Sequence, residues 1–243
     1  MKKKIILVIP VYNEEFVLEN SVKTLYEYMN KNIEENWKII IADNASTDDT
    51  EKIIEKLTKE VPHVEGAYLS CKGRGNALKY VWNNYKADVY SYCDVDLATD
   101  ISHLKKLFNN ILEGYDIVIA SRYIDTSISK RTLDRLILSK GYIYLIKLFF
   151  KTKFSDFQCG FKAINNKIVE EILPEVRNKE WFFDTELLLL TEQSMKYKIK
   201  QIPIIWHENR DTKVKVLKTT YDFIKNLINL KIRLLKNKNI QIK

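Results

Sequence analysis

The sequence predicts an α/β fold in which helices flank a mostly parallel, doubly wound sheet. Short apolar runs alternate with amphipathic stretches from Lys4 to Ala120 at a spacing typical of strand-loop-helix units. A polar loop follows each of the first four predicted strands. In a parallel sheet those loops share the edge where ligands bind, so that edge is the predicted site.

Local composition defines each element of the first half. The predicted strands are apolar runs that end at polar residues, and they comprise Lys4–Ile9, Trp37–Ala42, Val64–Leu69, Val89–Cys93 and Asp116–Ala120. The predicted helices between them are amphipathic, and they comprise 14–29 with Asn13 as N-cap, Thr50–Lys59, Asn76–Tyr85 and Ile101–Leu112.

In the second half strands and helices no longer alternate regularly. We expect its elements to pack around the sheet without forming a core of their own. Its predicted elements are three helices, one strand and a last basic amphipathic helix, namely Leu133–Phe150, Asn165–Leu173, Asp184–Met195, Lys198–Trp206 and Val214–Leu235. We therefore predict a catalytic domain over residues 1–212, followed by an amphipathic helix and tail over residues 213–243.

Motifs, cysteine content and hydropathy restrict the class of protein and argue against a nucleic-acid-binding or membrane-spanning one. The net charge is +8, but no nucleic-acid-binding module is recognisable, so a nucleic-acid partner is not expected. Three scattered cysteines and the absence of a signal peptide after Met1 predict reduced thiols in the cytoplasm. Lys140 and Lys147 interrupt the most apolar stretch, so no membrane-spanning segment is predicted.

Asp94 and Asp96 directly follow the apolar strand Val89–Cys93. Two carboxylates separated by one residue lie on the same side of an extended chain and repel each other unless a cation or a set of donors lies between them. This pattern predicts a site for Mg²⁺ or Mn²⁺ carrying a diphosphate. The alternative is a solvated turn with two surface aspartates.

The segment Lys72-Gly73-Arg74-Gly75 precedes a predicted helix and combines positive charge with a glycine-rich turn. Helix N-termini bind phosphate, so Lys72 and Gly75 are assigned to a phosphate site. We expect a nucleotide across the first four strands, with its base near Asp43 and its diphosphate at the metal. The dinucleotide fingerprint GxGxxG is missing from the first strand-helix turn.

Four segments resemble the successive nucleotide-sugar motifs of family 2 glycosyltransferases with the GT-A fold, namely Val8–Glu15, Ala42–Thr50, Lys72–Ala77 and Asp94–Asp96. Four later segments resemble the branch that makes dolichyl-phosphate glucose and dolichyl-phosphate mannose, namely Ser121–Tyr123, Asp156–Lys162, Trp181–Leu188 and Trp206–Glu208. The resemblance covers roughly residues 4–215.

The resemblance implies a role for each matching residue. Pro10, Tyr12 and Glu14 would line the nucleoside pocket, Asp43 would contact the base, and Asp94 and Asp96 would hold the metal and the donor diphosphate. The acceptor phosphate would meet a group of polar side chains, namely Arg122, Arg135, Ser139 and Lys213.

The implied activity is metal-dependent, inverting transfer of a hexose from a nucleotide sugar to dolichyl or polyprenyl phosphate, in the synthesis of glycan or N-glycosylation precursors. Ala98 stands where mannose synthases carry a glutamine ligand, and Glu208 where they carry an arginine, so the resemblance favours glucose and UDP. The alternatives are a family 2 enzyme acting on a glycan hydroxyl and a non-catalytic lipid- or nucleic-acid-binding protein.

Two further assignments remain open between a functional and a structural role. A lipid phosphate is ionised at pH 7 and needs no strong base, whereas a hydroxyl acceptor would need one, which Asp184 or Glu186 could supply. Otherwise Asp184 caps a helix and Glu186 forms a structural pair. The basic helix Val214–Leu235 is expected to place the protein peripherally on the cytoplasmic membrane face, unless its apolar stripe packs on the sheet or on a second subunit.

Overall fold

The computed structural model describes residues 2–130, 133–207 and 216–241, except for the side chains of 130, 133–135, 216–219 and 237–241. It divides into two compact units. The first comprises Met1–Lys130 and Ser155–Asn209, and the second comprises Arg131–Phe154 and Arg210–Lys243. The predicted boundary between residues 212 and 213 lies outside the described residues and stays a prediction.

The first unit is built on a seven-stranded sheet with the strand order β3-β2-β1-β4-β7-β5-β8, and a small separate sheet pairs β6 with β9. The strands in chain order are β1 Lys4–Val11, β2 Asn36–Asn44, β3 Val64–Leu69, β4 Val89–Cys93, β5 Ile117–Ser121, β6 Ile128–Lys130, β7 Phe161–Asn165, β8 Ile199–Pro203 and β9 Ile205–His207. In the large sheet only β7 runs antiparallel to its neighbours, which confirms the prediction of a mostly parallel sheet.

Most helices lie where the amphipathic stretches predict them. In chain order they are α1 Leu18–Asn32, α2 Thr50–Glu60, α3 Arg74–Asn84, α4 His103–Leu112, α5 Leu133–Phe150, α6 Asn166–Glu171, a 3-10 turn Leu173–Glu175, α7 Phe183–Gln193 and α8 Val216–Gln241. The predicted N-cap at Asn13 is wrong, because Val17 holds the N-cap position of α1. Asn13 instead has a positive φ of 54° and belongs to the preceding loop.

The expectation that the second half only decorates the sheet is wrong. Strand β7 inserts between β4 and β5, and β8 extends the far edge, so the second half completes the sheet. The single predicted strand Lys198–Trp206 is interrupted at Ile204 and divides between the two sheets.

Strand register brings the predicted polar loops to one edge. After the exposed Lys4, strand β1 is almost entirely buried, as its apolar sequence predicts for a strand covered on both faces. Val11 at its end lies opposite Asp43 at the end of β2, and Val8 lies opposite Tyr92, two residues before Asp94. The loops after β1, β2 and β4 therefore lie side by side.

The second unit contains α5 and α8. The Tyr142 and Phe223 rings pack with their centroids 4.9 Å apart, and the Lys231 ammonium donates a hydrogen bond of 2.6 Å to the Phe149 carbonyl. None of the helices in the described part of the chain is long and apolar enough to cross a membrane.

We predict that Asp116 secures the β5-β7-β8 side of the sheet. Its buried carboxylate accepts hydrogen bonds from the Asn165 amide at 2.7 Å and from the Lys198 backbone N–H at 2.8 Å. Asp116→Ala leaves both donors without that acceptor, and should lower the free energy of unfolding by about 1–3 kcal/mol in urea titrations. The exposed Asp125→Ala control should change it by less than about 0.5 kcal/mol, and equal effects would contradict this role.

Candidate active site

The loops after β1 and β2 hold each other in place. The Asn13 side-chain oxygen accepts a hydrogen bond of 2.8 Å from the Thr47 backbone N–H, and the Ser46 hydroxyl accepts one of 3.0 Å from the Asn13 backbone N–H. The buried Asp43 carboxylate in turn accepts from the Ser46 hydroxyl at 2.5 Å. These bonds fix a polar shelf at the sheet edge where a nucleoside is predicted.

The predicted nucleoside residues border this shelf. Pro10 lies at the end of β1 opposite Ala42, and the Glu14 backbone N–H donates a 2.9 Å hydrogen bond to the Thr50 hydroxyl. The Lys72 ammonium bonds to the Tyr12 hydroxyl and lies 3.9 Å from the centre of its ring. The structure thus brings the β1 loop together with the glycine-rich loop, while the ligand contacts assigned to these residues stay predictions.

Asp94 and Asp96 follow β4 on the same edge. The Asp94 side chain is 48% exposed, and one Asp96 oxygen accepts a 3.1 Å hydrogen bond from the Ala98 backbone N–H. A Cβ at position 160 would overlap the Asp94 carboxylate, so only glycine leaves room for that carboxylate at its present position. Desolvation by the surrounding protein, with help from Asp96, raises the pKa of Asp94, although Arg74 acts to lower it.

Arg74 begins α3 and points into the site from a buried position. Its guanidinium donates to Asp94 at 2.6 Å and to Asp184 at 3.3 Å. Burial disfavours the guanidinium charge, but the neighbouring carboxylates outweigh that effect and raise the pKa of Arg74. Sequence reasoning noted Arg74 only as part of a cationic loop, and the structure makes it the link between two carboxylates.

A fully buried lysine on β7 completes this cluster. The Lys162 ammonium lies 3.0 Å from the Asp184 carboxylate, donates to the Tyr92 hydroxyl at 3.0 Å and donates to the Cys159 carbonyl at 2.5 Å. The Tyr92 hydroxyl donates to Asp184, and burial raises its pKa well above the usual value. Sequence reasoning missed this role, although a lysine within the apolar run Phe161–Ile164 is a signal that could have found it.

The two spare carboxylates on α7 have different surroundings. Asp184 does not cap the helix, because Phe182 holds the N-cap position, and its carboxylate is enclosed by Arg74, Tyr92 and Lys162. Glu186 accepts hydrogen bonds from two backbone N–H groups of the preceding loop, at 3.0 and 2.7 Å. Its structural assignment fits these contacts, while a catalytic role for Asp184 stays a prediction.

Arg122 forms a buried, two-pronged salt bridge with Asp156 through its Nε and Nη2 atoms, with nitrogen-oxygen distances of 2.7 and 2.9 Å. Burial alone would raise the pKa of Asp156, but Arg122 outweighs it and holds that pKa below its usual value. The Trp206 ring centre lies 5.6 Å from the guanidinium carbon. The predicted contact of Arg122 with an acceptor phosphate stays a prediction.

The other residues assigned to the acceptor phosphate belong to the second unit. Ser139 lies within α5 and is half-buried, and Arg135 lies on the same helix with a side chain outside the described atoms. Lys213, together with Glu208, lies outside the described residues. The predicted contact of Arg135, Ser139 and Lys213 with a phosphate stays a prediction.

Two of the three cysteines lie within the core next to the site. Burial raises the pKa of Cys93, and burial, with the neighbouring Asp156, raises that of Cys159 to about 12. Both thiols therefore stay protonated near neutral pH and act as small apolar side chains. Cys71 is exposed, and no disulfide joins the described cysteines.

The carboxylate oxygens of Asp94 and Asp96 suit a hard divalent cation whose remaining ligands are phosphate oxygens and water. No group of three or more histidine, cysteine or acidic residues able to hold a metal occurs among residues that the structure describes. Magnesium usually binds through one or two carboxylates plus phosphate oxygens and water. Asp94 and Asp96, at the exposed end of a strand, fit that mode of binding.

The chain matches a known family over more than half of its length. Residues 6–173 match the family model described as Glycosyl transferase family 2. Glycosyltransferase AglD of Haloferax volcanii is 30% identical over 87% of this chain, and the chain spans only 34% of that protein. Dolichyl-phosphate beta-glucosyltransferase of Saccharomyces cerevisiae is 26% identical, with 93% of this chain and 73% of the yeast protein covered.

Solved structures agree on the fold. Glucosyl-3-phosphoglycerate synthase from Mycobacterium tuberculosis, crystallised with uridine diphosphate, superposes with a TM-score of 0.73 over 94% of this chain and 80% of its own, at 17% identity. A crystal structure of that synthase with Mn²⁺, uridine diphosphate and glucosyl-3-phosphoglycerate has a TM-score of 0.68 over the same shares of the two chains. The expected GT-A fold is confirmed.

We predict strong energetic coupling between Lys162 and Asp184. Replacing either partner alone, by Lys162→Met or Asp184→Asn, leaves a buried charge poorly compensated and should cost about 3–5 kcal/mol of unfolding free energy. The double variant should cost less than the sum of the two single changes, as measured by urea unfolding. Strict additivity would contradict the coupling.

A matched control uses an ion pair in solvent. Lys52 lies 2.7 Å from Asp49, and both side chains are largely exposed. Lys52→Met should leave the urea midpoint close to that of the wild type, because solvent screens this exposed pair.

Proposed function

This chain belongs to glycosyl transferase family 2, and on that premise we propose that it transfers a hexose, with glucose favoured, from a uridine diphosphate sugar to the phosphate of a polyprenyl or dolichyl lipid. The observation that carries the proposal is the pair Asp94 and Asp96 at the end of β4, beside the buried Arg74 at the start of α3. Relatives named dolichyl-phosphate beta-glucosyltransferase support the acceptor class.

The donor is proposed to lie along the sheet edge. The shelf formed by Asn13, Asp43 and Ser46 offers polar partners to a nucleoside, and Lys72 and the α3 N-terminus favour an anion beside it. Asp94 and Asp96 would hold Mg²⁺ or Mn²⁺, which when bound neutralises charge on the leaving diphosphate. A protein of the same fold that holds uridine diphosphate and Mn²⁺ supports this choice.

The residues of the chain contribute chiefly by positioning charge. Arg74 holds Asp94 in place, and its guanidinium adds positive charge next to the proposed diphosphate. The lipid phosphate attacks as an anion, so the protein has to orient it in line with the leaving group and does not have to remove a proton. In-line attack inverts the configuration at the anomeric carbon.

The surroundings of Asp184 favour a phosphate acceptor over a hydroxyl acceptor. A general base must reach the proton that it removes, but the Asp184 carboxylate is buried among Arg74, Tyr92 and Lys162. Glu186 is similarly occupied by two backbone N–H groups. These contacts support a role for Asp184 in positioning Arg74 and not in removing a proton.

Asp94→Asn and Asp96→Asn should each lower transfer at least about a hundredfold, because each removes charge from the proposed cation site. Gly160→Ala should have a similar effect, since its added Cβ displaces the Asp94 carboxylate. The measurement is transfer of labelled hexose from a panel of nucleotide sugars to a short polyprenyl phosphate in the presence of Mn²⁺.

The control for this assay is Gly141→Ala, a position on α5 where an added Cβ meets no atom within 4 Å. It should leave transfer within about twofold of the wild type. Absence of transfer to any polyprenyl phosphate, combined with transfer to a glycan hydroxyl, would overturn the lipid-phosphate proposal. A loss below about tenfold in the aspartate variants would overturn the metal assignment.

The second unit is proposed to bind the surface of an anionic membrane, the cytoplasmic leaflet in a cell. Apolar side chains recur on the exposed surface of α8 at Ile224, Ile228 and Ile232, whereas Leu227 and Leu230 are buried. Lysines are also exposed on the same helix, namely Lys225 and Lys236. Exposed apolar residues bordered by lysines suit a helix lying among anionic headgroups.

Replacing Ile224, Ile228 and Ile232 together by Gln should strongly reduce flotation with phosphatidylserine vesicles, because it removes apolar surface without disturbing the buried face. Flotation of the wild type should also fall as salt is raised, since lysine attraction is screened.

The control removes exposed apolar side chains from the first unit, by Phe16→Ser and Met195→Ser, and should leave flotation unchanged. Unchanged flotation of the triple variant would exclude this helix surface as the membrane contact. Loss of a dimer in gel filtration, without any change in flotation, would assign the surface to a second copy of the chain.

A further inference from the structure

Trp181 is a large aromatic side chain held open to solvent next to the candidate site. It lies in the loop before α7 and is 42% exposed, whereas Trp37 and Trp82 are buried in the core. Removing the apolar surface of an indole from water is favourable. An exposed tryptophan held beside the candidate active site is therefore a candidate ligand contact.

The loop that carries Trp181 is fixed from both sides. On one side, Glu186 binds the backbone N–H groups of Arg177 and Asn178. On the other side, the Asn76 N–H in the first turn of α3 donates a 2.9 Å hydrogen bond to the Lys179 carbonyl. Trp181 is therefore presented on a pre-ordered segment, which reduces the entropy lost when a ligand binds.

The first turn of α3 and this loop also approach each other closely. A Cβ at position 73 would overlap the Lys179 carbonyl, and a Cβ at position 75 would overlap the Phe183 side chain. Gly73 has a φ of +146°, a conformation that side chains with a Cβ rarely adopt. The glycine-rich turn that sequence reasoning assigned to phosphate thus also brings the Trp181 loop against the start of α3.

Trp181 lies next to the residues proposed to hold the diphosphate. The Arg74 guanidinium carbon is 5.2 Å from the centre of the Trp181 ring, and the same guanidinium donates to Asp94 at 2.6 Å. In a nucleotide sugar the hexosyl ring is bonded directly to the distal phosphate. A diphosphate at Asp94 would therefore place its hexosyl ring within reach of the indole.

We propose that Trp181 is a platform on which the hexosyl ring of the donor packs, and so a residue that helps to select a hexose donor. The C–H face of a pyranose is apolar, and it matches the face of an indole in size and polarity. The inference rests on the proposed function, because it takes the donor to be a nucleotide-linked hexose.

The test compares binding of UDP-glucose with binding of UDP, each with Mn²⁺, by isothermal titration calorimetry. Trp181→Ala should weaken UDP-glucose binding about tenfold and change UDP binding less than about twofold, because only the sugar meets the indole. Trp181→Phe should restore most of the affinity by retaining an aromatic face. In the wild type, UDP-glucose should change tryptophan fluorescence more than UDP does, and Trp181→Phe should remove that difference.

Tyr80→Ala serves as the matched control, since this aromatic side chain on α3 is 44% exposed and outside the proposed site. It should leave both affinities unchanged. Equal weakening of UDP and UDP-glucose by Trp181→Ala, or a rise only in the KM of the lipid acceptor, would overturn the platform. A wild-type protein that binds neither UDP nor UDP-glucose would instead overturn the proposed function.

Discussion

The organisation of the candidate site depends on a largely buried group of four charges. Lys162, Asp184, Arg74 and Asp94 form a chain of alternating sign that joins β7, α7, α3 and the end of β4. A charge in the interior would be costly without its partner, so the elements that carry these residues have to meet in one arrangement. The same contacts that compensate buried charge therefore fix the Asp94 carboxylate at the sheet edge.

Two glycines allow the close packing that this arrangement requires. Gly160 leaves space for the Asp94 carboxylate, and Gly75 leaves space for Phe183 at the start of α7. A site that is ordered before its ligand binds needs little rearrangement during reaction, which is the main advantage available to an enzyme that works by positioning. The network and the glycines thus connect interior packing with the proposed chemistry.

The two units differ in how completely their apolar side chains are buried. In the first, apolar side chains are enclosed between helices and sheet, and the polar loops gather at one edge. In the second, α5 and α8 bury part of their apolar surface and expose the rest, including Tyr144, Leu148 and Ile228. Exposed apolar surface of this kind is stable when a lipid or protein surface covers it, which agrees with the proposed lipid acceptor.

The sequence alone determined the alternation of strands and helices, the polar edge and the pair Asp94 and Asp96, because periodicity and strand-end charges are local properties. It also carried the motifs that identify the family. Only the tertiary structure decided that β7 inserts antiparallel beside β4, because strand pairing depends on residues distant in the chain. For the same reason, the contacts of Lys162 and Arg74, and the position of Trp181 beside Arg74, were decided by the tertiary structure, which brings β7, α3 and the loop before α7 together.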